Sequence, residues 1–168
     1  MTERFKPNVT VAAVIEREGR YLMVEELTRD GLLLNNPAGH IEQAESPAQA
    51  VIREVLEETA RPFTPEAWLG VYVSRFLRED RNLGREDDVT YVRLAFTGSV
   101  GEQIPGQPFD EPIQRTLWLT LDEIRASQQR HRSPLVLQCI EDHAAGRRLP
   151  LEALYAHPSL YAPTAWPL

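Results

Sequence analysis

The sequence predicts an α+β or α/β/α sandwich formed as a single domain. Three observations carry that expectation. Short β-branched runs joined by hairpin signals open the chain, one stretch of helical period interrupts them after Ser46, and strands then resume before a closing helix. A length of 168 residues suits one domain rather than two.

The elements follow in order. Val9 to Ile15 alternates and is rich in β-branched residues, so it reads as a strand. Glu18-Gly19 is a turn signal, and Tyr21 to Glu26 is the returning strand. Asp30-Gly31 marks a second hairpin before a short strand, Leu32 to Asn35. Ser46 is a good helix N-cap, Pro47 suits the first helical position, and Gln49 completes a capping box. That helix should run to about Ala60 and stop before Pro62, which lacks an N–H.

Trp68 to Leu77 and Val89 to Ser99 read as two further strands. The charged segment between them, Arg78 to Asp88, reads as a solvated hairpin tip, with a substrate lid as the alternative. Gly101 to Pro112 is a Gly/Pro-rich loop, Thr116 to Leu119 a short strand, and Leu121 to Ala126 a short helix capped by Thr120. Pro134 to Ala145 reads as the closing helix, ended by Gly146. The domain is therefore placed at 1–152. The remainder, 153–168, is a proline- and aromatic-rich tail expected to pack on the domain or on a partner subunit. The chain could be a monomer or a homodimer.

Composition excludes some functions. A net charge of −7 argues against stable nucleic-acid binding, which needs cationic surface. It does not argue against a small phosphorylated substrate, because a bound divalent cation reverses the local field. No stretch approaches the ~20 apolar residues of a membrane span, and the N-terminus lacks a signal-peptide layout. The single cysteine, Cys139, lies in an apolar run and reads as a small core residue, which suits a reducing, cytoplasmic setting.

The chemistry concentrates on the first helix. Successive helical residues turn by about 100°, so Glu57 and Glu58 fall about 60° to one side and 40° to the other side of Glu54. Ala48, Ile52, Val55 and Leu56 are expected on the opposite, core-facing arc. Three crowded carboxylates repel one another unless a cation joins them, and Mg²⁺ prefers such oxygen ligands. Taken alone, an E-x-x-E-E helix reads as a solvated acidic face.

The longer spacing changes that reading. From Gly39 the chain runs G-HIEQA-E-SPAQAVI-RE-V-L-EE-T-A-R. This resembles the Nudix box, G-x5-E-x7-R-E-U-x-E-E-x-G-U, with Gly39, Glu45, Arg53, Glu54, Val55, Glu57 and Glu58 in register. Ala60 and Arg61 replace the last glycine and the last aliphatic residue. FKPNVTVAAVIEREGRYLMVEE, NNPAGHIE, RSPLV and RRLPLE extend the similarity toward the bacterial phosphatase NudJ subgroup of that family, up to about Glu152.

The resemblance implies an α/β/α Nudix sandwich with a mixed sheet. It implies an Mg²⁺-dependent hydrolase (Mn²⁺ substituting) that releases orthophosphate from nucleoside tri- and diphosphates. Thiamin pyrophosphate and hydroxymethylpyrimidine pyrophosphate are further implied substrates. It assigns the metal to Glu54, Glu57 and Glu58, with the Gly39 carbonyl. It gives Arg53 the orientation of Glu57 or Glu45, and Glu45 the support of the loop. Two places stay open for the base that activates water: Glu57 itself, or Glu111 on the loop before Trp118, beside Asp110. Lys6, Arg93 and Arg132 are candidates to meet phosphate oxygens. Each has an ordinary alternative, as an exposed lysine, a paired strand arginine or a helix-start residue. Trp68, Trp118 and the phenylalanines read as core. The competing activities are cleavage of a nucleoside-diphosphate-linked substrate such as a nucleotide sugar, and a catalytically silent binding module. The latter is expected to lack box carboxylates that this chain retains.

Overall fold

The computed structural model describes residues 5–80 and 85–162. Among the described residues eight strands form two sheets. In the first, β1 (Asn8–Val14) lies between β5 (Ala38–His40) and β7 (Arg85–Val100), and β6 (Phe63–Asp80) forms the far edge. β1 runs parallel to β7 while the other pairs are antiparallel, so the sheet is mixed as expected. In the second sheet β3 (Arg20–Thr28) is central. It pairs with β2 (Glu16–Arg17) and β4 (Gly31–Asn35) along one edge and with β8 (Ile113–Thr120) along the other.

Strand alternation divides the apolar residues into two cores. Val11, Ala13, Ile15, Leu22 and Phe96 meet Ala50, Val51 and Val55 of α1 (Pro47–Thr59). Val14, Tyr21, Met23, Leu69, Tyr72 and Ala95 face the other way. They meet Ile124 of α2 (Leu121–Ala126) and Leu135, Val136, Cys139 and Ile140 of α3 (Leu135–Ala144). Each fully buried aliphatic side chain contributes about 1.5–3 kcal/mol, and the two cores together clamp the sheets between helices. Among the described residues no helix is long and apolar enough to cross a membrane.

The caps are those the sequence signals. Ser46 Oγ accepts from the Gln49 amide at 3.3 Å, and Gln49 Oε1 accepts from the Ser46 amide at 2.9 Å. Thr120 and Glu123 form the same reciprocal pair at the start of α2.

Four expectations are corrected. α1 buries Ala50, Val51, Glu54, Val55, Glu58 and Thr59, while Ile52 is 38% exposed. The buried face is thus rotated toward the glutamates, because β5 and the loop before α1 cover that side. The charged segment at 78–88 is largely strand: β6 and β7 stay paired as far as Asp80 and Arg85, and the remaining tip, 81–84, lies outside the described residues. Strand β5 was not expected. Phe5 and Phe76 are not core: they are 72% and 37% exposed.

Leu149 pairs with Trp68 through reciprocal backbone bonds of 2.8 and 2.9 Å, Leu154 packs on the α1 core, and Tyr161 Oη donates to Gln49 Oε1 at 2.9 Å. Short 3₁₀ turns form at Leu151–Ala153 and Pro158–Leu160. Trp166 lies outside the described residues. Cys139 is fully buried, and burial pushes its thiol up to about 11, which leaves it an unreactive core thiol.

Candidate active site

β5 is pinned to β1 with Gly39 opposite Val11, which delivers the backbone at Gly39 directly against α1. A side chain there would displace the Glu54 carboxylate: a Cβ would stand 2.1 Å from it. Glycine is required at this position by close approach of a carboxylate, not by an unusual backbone angle.

Arg53 organises the acids. Its guanidinium donates to Glu45 at 2.9 and 3.0 Å, to Glu54 at 2.8 Å, to Glu57 at 2.9 Å and to the His40 carbonyl at 3.0 Å. Those carboxylates raise the Arg53 pKa, and Arg53 holds Glu45 below the usual carboxylate range. Glu45 also accepts from the Glu42 amide at 3.1 Å, which fixes the loop ahead of the helix. Arg53 therefore touches both of its expected carboxylates, Glu57 and Glu45, at once.

Glu54 and Glu58 are each only 8% exposed. Burial pushes Glu54 up, partly countered by Arg53. Glu58 accepts from the Ala38 amide at 2.8 Å, yet burial still drives it well above the carboxylate range, and Glu54, Glu26 and Asp110 push the same way. Two carboxylates are thus held where their own charge is disfavoured.

The helix exit is closed by the loop at 101–112. Gln107 Nε2 donates to the Leu56 carbonyl at 3.3 Å, the Asp110 amide to Glu57 at 3.0 Å, and the Ile104 amide to Ala60 at 2.8 Å. Ala60 takes the left-handed conformation, φ 52°, that the family's glycine adopts easily. Arg61 ties the exit to the Gly101 carbonyl at 3.0 Å.

The facing wall is cationic. Arg93 is buried, and its hydrogen bonds run to the amide oxygens of Asn36 and Asn35 at 3.3 Å rather than to a carboxylate. Burial lowers its pKa, but a guanidinium stays charged. Arg132 pairs with Glu26 at 3.5 Å, and Asn35 donates to the same carboxylate at 3.1 Å. Between the walls lies a cleft of about 1110 Å³ bordered by Gly39, Arg53, Glu54, Glu57, Glu58, Arg93 and Arg132.

Several candidates are thereby brought together and two are not. Lys6 and Glu111 are exposed and do not border the cleft, while Asp110, the neighbour of Glu111, does. Glu26 is a cleft residue that sequence reasoning left without a site role, and Asn35 borders the cleft beside it. The period-two pattern of Val24-Glu25-Glu26 separates their faces. Glu25 turns to Arg115 at 2.7 Å and to Arg130, and Glu26 turns to the cleft.

Among the described residues no three Asp, Glu, His or Cys side chains converge closely enough to hold a metal ion. Arg53 draws Glu54 and Glu57 to itself, and Glu58 turns to Ala38. The donor set still fits a hard divalent cation, because it supplies oxygen donors alone and the buried Glu58 takes its hydrogen bond from a backbone amide rather than from a cationic side chain.

The Nudix domain model matches residues 4–138. Phosphatase NudJ of Escherichia coli K12 is 35% identical over 150 residues, spanning 89% of this chain and 92% of that protein. A Nudix hydrolase structure from Nitrosomonas europaea is 48% identical with a TM-score of 0.79, covering 90% of this chain and 98% of that one. A UDP-X diphosphatase structure at 17% identity, with a TM-score of 0.65 and coverage of 88% and 68%, shares the fold.

Proposed function

The chain belongs to the Nudix hydrolase family, and from that premise we propose that it is an Mg²⁺-dependent phosphatase of phosphate anhydrides that takes nucleoside tri- and diphosphates and releases orthophosphate. One observation carries this reading: buried glutamates line one wall of a cleft, and a buried arginine hydrogen-bonded to asparagine side chains lines the other. A diphosphate with a divalent cation complements both walls. Thiamin pyrophosphate and hydroxymethylpyrimidine pyrophosphate stay within this chemistry. The 35% identity to a protein named as a phosphatase supports orthophosphate as the product.

Glu54, Glu57 and Glu58, with the Gly39 carbonyl, would hold the cation, which supplies charge neutralisation on phosphate oxygens and a more acidic bound water. Arg53 positions Glu54 and Glu57 from behind and shares their charge. Arg93 and Arg132 bind phosphate oxygens from the facing wall. Glu57 is the most exposed of the three glutamates, its side chain 37% accessible, so it is placed in this reading to accept the proton of the attacking water. Asp110 replaces Glu111 as the loop acid that faces the same space.

The test is product analysis with Mg²⁺ across nucleoside triphosphates, diphosphates, thiamin pyrophosphate and a nucleotide sugar. Orthophosphate from the first three supports the phosphatase. Cleavage confined to the nucleotide sugar, giving two monophosphates, replaces it with a pyrophosphatase.

A further inference from the structure

The floor of the cleft is one face of the first sheet. Cross-strand partners project to the same side of a sheet. His40 lies opposite Thr10, Thr10 opposite Arg93, and Ser74 opposite Tyr91, with Phe76 two residues further along β6. The stripe begins beside the glutamates and ends in rings. Phe76 and Tyr91 stack with centroids 5.7 Å apart and planes 12° from parallel. His40 leans on Tyr91 at 6.3 Å. Phe76 still exposes 37% of its surface, and it borders both the main cleft and a smaller hollow of about 470 Å³ beside Leu137.

Polar groups around these rings are left over. Thr10 Oγ1, Ser74 Oγ and, on the facing wall, Ser133 Oγ are shielded from solvent and make no hydrogen bond. Buried hydroxyls are ordinarily paired, so three unpaired ones bordering one cleft are unusual. An exposed aromatic face next to unused hydroxyls suits a flat ligand with an apolar face and a polar edge. A bare polyphosphate has neither.

We propose that this end of the cleft seats a heteroaromatic ring carried by the substrate, stacked on Phe76 with its edge toward the Ser74 and Ser133 hydroxyls. The inference rests on the diphosphate reading of the same cleft. It adds that Phe76 and the serines set specificity for the group attached to the diphosphate. A hydroxyl both donates and accepts, so the seat recognises the class of ring more strongly than one base.

Binding without turnover tests this. Adenosine α,β-methylenediphosphonate, the thiamin counterpart and ring-free methylenediphosphonate are titrated into the full chain with Mg²⁺. The ringed analogues should bind at least about tenfold more tightly than methylenediphosphonate, the scale of one base on one aromatic side chain. Phe76→Ala should remove most of that advantage and leave methylenediphosphonate affinity unchanged, while Phe76→Tyr keeps it. Tighter binding of the adenosine analogue assigns the seat to a nucleobase, and of the thiamin analogue to a ribose-free pyrimidine. Equal affinities in the wild type overturn the proposal, as does an advantage that survives in both Phe76→Ala and Phe76→Leu. Because no bond is cleaved, a failure here is separable from a failure to release orthophosphate.

Discussion

At the scale of single residues, Gly39 and Arg53 fix the acids from opposite sides. A methyl group at 39 would overlap the Glu54 carboxylate, so Gly39→Ala must push Glu54 out of place. Displacements of about 1 Å in a reacting constellation cost about 10²-fold. Gly39→Ala should therefore lower kcat by about that factor while the thermal midpoint changes little. A kcat within threefold of wild type would mean that the Glu54 position is unimportant. Most of this arrangement was legible, because the box acts through short spacings along one loop and one helix. Asp110 and Glu111 were not separable in the sequence. Which of two adjacent loop acids enters a cleft depends on the bond from the Asp110 amide to Glu57, across the helix exit.

At the scale of elements, α1 shows why a helical wheel alone misplaces a core. The wheel sets acids against aliphatics, yet Glu54 and Glu58 share the buried arc with Val51 and Val55. Sheet contacts decide the rotation, and β5, three residues long, carries too little pattern to be seen in the sequence. The helix exit is a balance of effects. Ala60 is fully buried in a left-handed conformation. Ala60→Gly relieves about 1–2 kcal/mol of backbone cost, loses ~0.8 kcal/mol of methyl burial and frees the unfolded chain by about 0.4–1 kcal/mol. These nearly cancel, so the variant should unfold within about 1 kcal/mol of wild type in urea. The family's glycine and this alanine then serve the same turn. At the other end, Ser46→Ala removes a reciprocal cap and should cost about 1 kcal/mol, with kcat unchanged.

At the scale of the whole molecule, α3 is locked to the second sheet through His143. Its Nε2 meets Arg148 Nη2 at 2.6 Å and its Nδ1 meets Tyr21 Oη at 3.3 Å. Arginine only donates, so the ring is neutral with its proton on Nδ1. Burial first, and Arg148 second, lower His143 from 6.5 to about 4. The unfolded chain therefore binds this proton more readily. The His143 contribution is complete above pH ~6.5 and is lost as pH falls toward 4. Glu54 and Glu58, raised by burial, bend the profile the opposite way. Comparison with His143→Leu isolates the histidine: the variant should be less stable at pH 7 and should lose less on acidification than wild type. Equal slopes from urea unfolding between pH 7 and 4.5 would remove this role. The mixed strand-and-helix class was readable from period changes, and its two cores were not. The aromatic stripe beside the cleft was not, because Tyr91 and Phe76 meet only through the register of β6 and β7.

The most direct measurement compares wild type with Glu57→Gln and Glu58→Gln, reading orthophosphate release from a nucleoside diphosphate and the thermal midpoint, each with Mg²⁺ and after its removal. The account predicts turnover only with Mg²⁺ in the wild type, together with an Mg²⁺-dependent rise in its midpoint. In both variants turnover should fall by orders of magnitude and the rise should shrink, with folding retained in each. Variants that hydrolyse within a few fold of wild type, or wild-type turnover that survives metal removal, would contradict it.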